Sequence, residues 1–429
     1  MKKTHRFFSL SISLLLIAML TAPAGLVQAS NGLRVITAGP RSLGIGGAGV
    51  ANDPTSNTIF INPAGMNDVG NEFDLNFTVA FPQTTMGSSL APAGNPDAVN
   101  VGGDDDGILL PNGSAVFSFM DNKLALGVGA FFSAGFSVDF PVSRLNSAIT
   151  GNLYDRSGRY ANLKIIPSAS YRVMDNLTVG LGLDINYAFF QSDSAVLTPG
   201  FPETAGTNRT DTALGIGGRV GLLYKPLKML HVGATYITRQ HFQQFSRYAD
   251  LINQGLDLPQ EVALGLAIMP FTGATILTDF RWLDWSSGFI GQDIALGGLQ
   301  WRDQYVFAGG FQYDFDPHFD FPIQLRMGYN YGRSPITPQN AFQNLTIPLV
   351  LEHHLTFGFS FDLNKHMGMD AAYVHEFGHT VTDNGTGNPA GQGAFIGASA
   401  NAFSIGLRGR WGAKKRGAPV DESATETTN

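Results

Sequence analysis

The chain contains no cysteine, which excludes disulfide frameworks, cysteine zinc sites and thiol nucleophiles together. Charge is scarce as well: 14% of the 429 residues are charged, against about 25% in a typical soluble protein. There is no basic surplus. Lys and Arg number 27 against 34 Asp and Glu, a formal net charge of −7, and such a balance offers nothing to neutralise a run of phosphates, which excludes nucleic acid as a partner. Tryptophan is rare at 4, whereas phenylalanine reaches 32 and glycine 52. Low charge with abundant Gly and Phe leaves two readings: a disordered glycine-rich chain, or a protein whose outer surface meets lipid.

Long hydrophobic runs are missing beyond the N-terminus, and without a window of about 18 apolar residues no helical span is available. At the start, Lys2, Lys3 and Arg6 precede an apolar stretch from Phe7 to Leu20 that leads into Val27-Gln28-Ala29. Residues 1–29 read as a secretory signal peptide, the apolar stretch being short for a membrane anchor.

The remaining chain is written in period two. From Glu72 to Phe81 the polar series Glu72, Asp74, Asn76 and Thr78 alternates with Phe73, Leu75, Phe77, Val79 and Phe81. The same alternation runs through Leu177–Tyr187, Ile323–Tyr331 and Phe403–Trp411, and marks strands with one apolar and one polar face. Connections alternate in length. Asp121-Asn122-Lys123, Asp175-Asn176, Pro226-Leu227-Lys228, Pro270-Phe271-Thr272 and Asn364-Lys365-His366 are tight turns, whereas Pro82 to Asn112 and Thr380 to Ala398 are long polar stretches. Short turns at one end and long loops at the other are the asymmetry of a transmembrane β-barrel.

The count is about fourteen strands, the even number expected of a single-chain bacterial barrel. The expected fold class is therefore all-β: a transmembrane antiparallel barrel over 72–411, both termini periplasmic, followed by a polar tail, 412–429. A soluble barrel or sandwich would have to hide the apolar faces in another layer. Glycine gathers on the polar faces, at Gly180, Gly221, Gly233 and Gly328 among others, where it leaves space in the lumen or lets strands bend.

Residues 30–71 are too long for a lead-in. Their densest part is Gly39-Pro40-Arg41-Ser42-Leu43-Gly44-Ile45-Gly46-Gly47-Ala48-Gly49-Val50, followed by Asn62-Pro63-Ala64. Gly44, Gly46 and Gly49 match the spacing of a dinucleotide fingerprint, but no clear βαβ unit surrounds them. A compact plug would use the same glycines for close backbone packing.

These residues resemble the N-terminal hatch of the FadL-type outer-membrane transporters of long-chain fatty acids and other hydrophobic compounds, with its Asn-Pro-Ala motif. Pro167–Arg172, Gly218–Pro226, Leu258-Pro259, Asp279, Trp282, Trp285, Trp301-Arg302-Asp303, Arg326-Met327-Gly328 and Ser334-Pro335 are similar to barrel segments of the same family. The resemblance implies a monomeric outer-membrane channel for passive uptake, with no cofactor, metal or catalytic residue. Its cargo would be a long-chain fatty acid or another hydrophobic ligand. The cargo is caught by outer loops, passed to a lumen pocket, and released sideways into outer-membrane lipid when the hatch moves. The lateral opening would fall at a kink in the third strand near Ser133-Ala134-Gly135, with a plain structural bulge without a gate as the alternative. Asn62, Pro63, Ala64 and Gly135 are thus the expected hatch and gate residues.

Candidate ligand-binding residues are Arg219, Arg281, Arg326, Phe190, Phe242 and Phe245. The arginines lie on polar strand faces, and a guanidinium offers a carboxylate a bidentate fork. Asp184, Asp279, Asp362, Asp370 and Glu376 face the same way, so lumen salt bridges are the competing use of Arg219, Arg281, Arg326, Arg408 and Lys164, and a neutral aromatic cargo stays open. Phe242, Phe245, Tyr248 and Ile252 have helical spacing, as either a capture surface or a loop helix against the rim. His375-Glu376-Phe377-Gly378-His379 spells a zinc-protease motif that needs a helix. On a strand the two histidines lie roughly 13 Å apart, too far to share a zinc. A general porin and a ligand-free scaffold are the remaining alternatives.

Overall fold

In the computed structural model, residues 31–88, 101–104, 107–140, 156–192, 209–249, 252, 254–293, 298–319 and 321–411 are described. The expected signal peptide, 1–29, and the expected polar tail, 412–429, lie outside the described residues. Fourteen strands form one closed antiparallel barrel: β1 (Glu72–Ser88), β2 (Ile108–Phe119), β3 (Leu124–Phe140), β4 (Arg156–Met174), β5 (Leu177–Ser192), β6 (Asp211–Leu227), β7 (Leu230–Ile237), β8 (Glu261–Ile268), β9 (Ala274–Leu283), β10 (Gln304–Asp314), β11 (Ile323–Gly332), β12 (His353–Asp362), β13 (Met367–Thr382) and β14 (Ala394–Arg410). Each pairs with its neighbour in sequence, and β1 closes on β14 from Glu72–Arg410 to Ser88–Ala394. Closure leaves no sheet edge facing lipid.

Alternation sorts the side chains as expected. On β1, Phe73, Phe77 and Phe81 are exposed while Glu72, Asp74 and Asn76 are buried. Leu181, Leu183 and Ile185 of β5 and Leu325, Met327 and Tyr329 of β11 are likewise exposed. A wall this apolar on its outside is stable only against hydrocarbon. Among the described residues no helix is long and apolar enough to cross a membrane. The β2–β3 turn holds Met120, Asp121 and Asn122 at φ 52°, 52° and 64°, a left-handed region that Asp and Asn tolerate best.

Two of the expected long loops are shorter than their polar composition suggests. Strand β1 continues through Pro82 to Ser88, and β13 and β14 continue to Thr382 and from Ala394. On that side β1 pairs with β2 as far as Ala80 and with Val101–Gly102 from Thr85, and Pro82 falls between the two, where no described residue needs its missing N–H. The wall is consequently uneven: β3 and β4 have 17 and 19 residues, β7 and β8 only 8 each.

Residues 31–71 lie against the inward faces of the strands. They form two single-turn helices, α1 (Pro40–Leu43) and α2 (Thr58–Ile61), and a 3-10 helix over Pro63–Asp68. Ala48, Ile59, Ala64 and Met66 are fully buried. Inward glycines make room for this backbone. A Cβ at Gly233 or Gly265 would overlap Val50 and Ala51, and one at Gly310 or Gly328 would overlap Ile45. The space that glycine leaves in the lumen is therefore filled by the chain's own N-terminal segment.

Candidate ligand pocket and wall gap

The barrel wall has a discontinuity at β3. Its ladder with β2 ends at Gly113–Ala130, while its ladder with β4 continues to Phe140–Arg156 and changes register between Phe132 and Ala134. Above Ala130 one edge of β3 is therefore left without strand β2. Asn112 partly covers it by accepting the Phe132 N–H at 2.9 Å through Oδ1. The N-terminal segment covers more: Val35 N–H donates to Ser133 O at 3.1 Å, and Gly135 N–H donates to Leu33 O at 2.8 Å. Residues 33–35 thus act as a short substitute strand. Gly135, expected beside a kink, lies at this junction, just beyond the register change.

Behind the junction lies a narrow pocket of about 30 Å³. Phe60, Ala134, Ile237, Leu258, Leu283 and Trp285 give it an apolar lining, and Arg34, Lys164, Arg219, Gln240 and Glu261 supply polar groups. Arg219 closes a fork on Asp184, with Nε and Nη2 donating to the two carboxylate oxygens at 2.7 and 2.8 Å. Its Nη1 donates to Phe60 O at 2.6 Å and Ile59 O at 3.1 Å. Lys164 donates to the same Asp184 at 3.1 Å. Arg34 closes a second fork on Glu261, at 2.7 and 3.2 Å, and its Nη1 donates to Val35 O and Ile36 O. The Phe60 ring lies between both guanidiniums, 5.5 Å from Arg34 and 5.9 Å from Arg219, a favourable use of its π face. Burial, partly offset by the facing Glu261 carboxylate, pulls Arg34 down to about 10.

Of the three candidate arginines, only Arg219 lines the pocket. Arg281 donates to Ile36 O and Gly47 O and pairs with Asp279, whose other contacts are the Gly49 and Val50 N–H groups. Arg326 lies near the short-turn end of β11 and donates to Gln312, Ser360 and Gln324. Arg408 pairs with Asp370 and Asp362. Salt bridges thus engage most of the lumen's basic residues. Arg34 and Glu261 went unselected in the sequence. The one available signal was that Arg34 and Arg41 are the only cations in residues 30–71.

Asn62 ties the segment to the wall. Its Nδ2 donates to Val50 O at 2.7 Å and Leu222 O at 3.0 Å, while Oδ1 accepts the Ala64 N–H at 3.1 Å. Pro63 opens the following helical turn, where a missing N–H costs nothing. The Pro63–Ala64 backbone presses against Gly180.

The three candidate phenylalanines fall in one apolar cluster on the long-loop side of the pocket, with Tyr248, Ile252, Trp285 and Trp301. Phe190 contacts Phe245 at 5.5 Å and Tyr248 at 4.8 Å between centroids. Among the described residues the helical spacing of Phe242, Phe245, Tyr248 and Ile252 does not produce an α-helix. His241–Phe242 is a two-residue strand on β6 and Ser246–Tyr248 a single 3-10 turn. Asp257 holds the Phe242 N–H at 2.9 Å, which fixes extended backbone there. All four side chains are buried against the cluster.

The zinc-protease motif lies on β13, where no helix brings its histidines to one face. His375 Nδ1 contacts Asn401 and His379 Nδ1 contacts Val350 O. Among the described residues no cluster of potential ligands is placed to hold a metal.

A closed barrel with an apolar exterior, a lumen occupied by its own N-terminal segment and an apolar pocket behind an interrupted wall defines an outer-membrane transport barrel for hydrophobic compounds. Residues 22–410 match the family model described as outer membrane protein transport protein (OMPP1/FadL/TodX), and the chain belongs to that family. Its location is accordingly the bacterial outer membrane, and the family is one of transport channels. A FadL homologue of Pseudomonas aeruginosa is 17% identical, with a TM-score of 0.64 over 88% of this chain and 99% of that one. The Pseudomonas putida toluene transporter TodX is 19% identical, with a TM-score of 0.66 over 89% and 100%. The Ralstonia pickettii toluene transporter TbuX is 20% identical, with a TM-score of 0.61 over 87% and 98%. At these identities the likeness is one of fold. No curated protein matches the chain.

Proposed function

We propose that this protein is a monomeric, passive uptake channel whose cargo enters from the outer loops, occupies the site beside Phe60 and Trp285 once movement of the N-terminal segment widens it, and leaves sideways at the β2–β3 junction. Residues 30–71 act as the hatch, with Asn62, Pro63 and Ala64 as its fixed point and Gly135 at the gate. The observation that carries the reading is the substitute strand, residues 33–35, on the uncovered edge of β3. It is held to β3 by two backbone hydrogen bonds and not by a full ladder, so its departure breaks few bonds of the wall itself. A general porin is disfavoured because the segment's backbone fills the lumen down to contact with the inward glycines.

The favoured cargo is a long-chain fatty acid. Arg34, Lys164 and Arg219 face two carboxylates, Glu261 and Asp184, so the cluster carries one positive charge in excess, which suits an acid headgroup at Arg219 beneath the Phe190, Phe242 and Phe245 surface. Arg281 and Arg326 belong to the hatch and lower-lumen networks in this reading. A neutral aromatic cargo is the second reading, favoured by the closure of both guanidinium forks on protein carboxylates and by the toluene transporters among the structural relatives. Uptake of radiolabelled oleate and of toluene by cells with and without the gene separates them. Loss of oleate uptake alone supports the first and loss of toluene uptake alone the second. Unchanged uptake of both, with gain of sugar permeability in liposomes, returns the porin.

A further inference from the structure

The substitute strand is held from the far side of the lumen. Arg34 is its central residue and forms a bridge with Ala134 of β3. Its side chain reaches in the opposite direction, to Glu261 at the start of β8. Strands β4 to β7 separate β3 from β8 in the barrel order, so this one ion pair spans the pocket. Both side chains are largely buried, at 12% and 6% exposed. Elsewhere the segment is fixed at its other end, where Asp68 pairs with Arg172 at 3.1 Å and Lys225 at 2.5 Å.

We infer that the Arg34–Glu261 pair is the latch of the lateral gate, holding residues 33–35 on β3 while the Asp68 end stays anchored. The inference rests on the gate reading above and deepens it by naming the residues that set the closed state. The physics is that of a buried pair: removing one partner leaves an uncompensated charge in a low-dielectric site. When Glu261 is neutral, Arg34 does better by moving toward water, and residues 33–35 go with it. Neither residue needs to touch cargo for this, so both are positioning residues.

Absence of cysteine makes the test direct. Ser133→Cys places a reporter on the edge that residues 33–35 cover, and its labelling by a membrane-soluble maleimide is followed on the full chain in outer-membrane vesicles. In the Glu261→Gln background labelling is expected to accelerate by at least roughly tenfold. Arg34→Gln should do the same, whereas Arg34→Lys, which keeps the charge, should stay close to the native rate. Equal rates in all four backgrounds overturn the latch, and so does fast labelling in Arg34→Lys, which would assign the effect to packing. Correct assembly is checked by heat-modifiable migration. Should Glu261→Gln fail that check, the Arg34→Gln and Arg34→Lys pair decides alone. Oleate and toluene uptake measured in the same vesicles keeps the two ideas apart. Faster labelling with unchanged uptake retains the latch and removes the lateral exit.

Discussion

Gly221 on β6 faces Asn62 so closely that a Cβ on the glycine would overlap Asn62 Oδ1, the oxygen that already accepts the Ala64 N–H. One strand away, Gly180 stands against the Pro63–Ala64 backbone in the same manner. At Gly180 the segment presents backbone, and at Gly221 a side-chain amide pinned by its own hydrogen bonds, so neither swings aside as a free side chain does. Gly180→Ala and Gly221→Ala should each cost about 1–3 kcal/mol of segment docking by overpacking. The strand ladders would be untouched. Protease cleavage within residues 31–71 is expected to rise while heat-modifiable migration of the barrel stays native. Unchanged protection in both variants would contradict the fit.

Asp184 is shared by Lys164 and Arg219, all three buried. Asp184→Asn would leave two cations facing one neutral acceptor, and breaking such a pair costs about 3–5 kcal/mol. The urea midpoint in detergent is expected to fall accordingly. Being buried, the pair escapes salt screening, so the difference between variant and native protein should persist at high ionic strength. A difference that vanishes in salt would place Asp184 in contact with water.

Strand content was legible because lipid imposes period two on every strand, and Phe73, Phe77 and Phe81 obey it. Pairing across neighbouring strands was partly legible. Asp184 sits opposite Gly217, two residues from Arg219 on β6, a diagonal that register alone would predict. Contacts of the N-terminal segment were not. Which glycine meets Ala64 and which meets Val50 depends on how an irregular chain winds through the lumen, and no periodicity encodes that. The reach of Arg34 to Glu261 spans 227 positions and leaves no local signature. The run from Phe242 to Ile252 misled because a stripe at helical spacing states only that those side chains share a neighbour. Here that neighbour is the Phe190 cluster, and Asp257 holds the backbone extended.

That cluster gives the loops their stability. Phe245 is fully buried against Phe190 and within the group containing Trp285 and Trp301. Phe245→Ala removes a ring from a packed site and should cost about 3–5 kcal/mol locally. Because the barrel ladders do not depend on it, the loss should appear as faster proteolysis of the outer loops in intact cells, with the assembled barrel still present. If Phe190, Phe242 and Phe245 form the entry surface for cargo, the same variant also lowers oleate uptake at limiting concentration. Native loop protection would exclude the packing role.

Asp53 lies in the N-terminal segment, 6% exposed, with Oδ1 accepting the Thr55 hydroxyl at 2.8 Å and Oδ2 without a hydrogen-bond partner among the described residues. Burial raises its pKa from an ordinary 3.8 to about 6, against the opposing pull of the Thr55 hydrogen bond and Arg41. The docked segment therefore keeps a proton that the undocked segment has released. Docking stability is complete below about pH 4, declines as pH rises through about 6, and is flat beyond. The shift corresponds to a loss of order 2–3 kcal/mol across that window. Asp53→Asn carries a fixed neutral amide and should remove this part of the pH dependence. Protection of residues 31–71 from protease, compared between native protein and Asp53→Asn at pH 4.5 and 7.5, tests the sign. The variant is expected to be the better protected of the two at pH 7.5 and to show little advantage at pH 4.5. An advantage confined to pH 4.5 would mean that the ionised carboxylate is the stabilising form, and that Arg41 outweighs burial at this site.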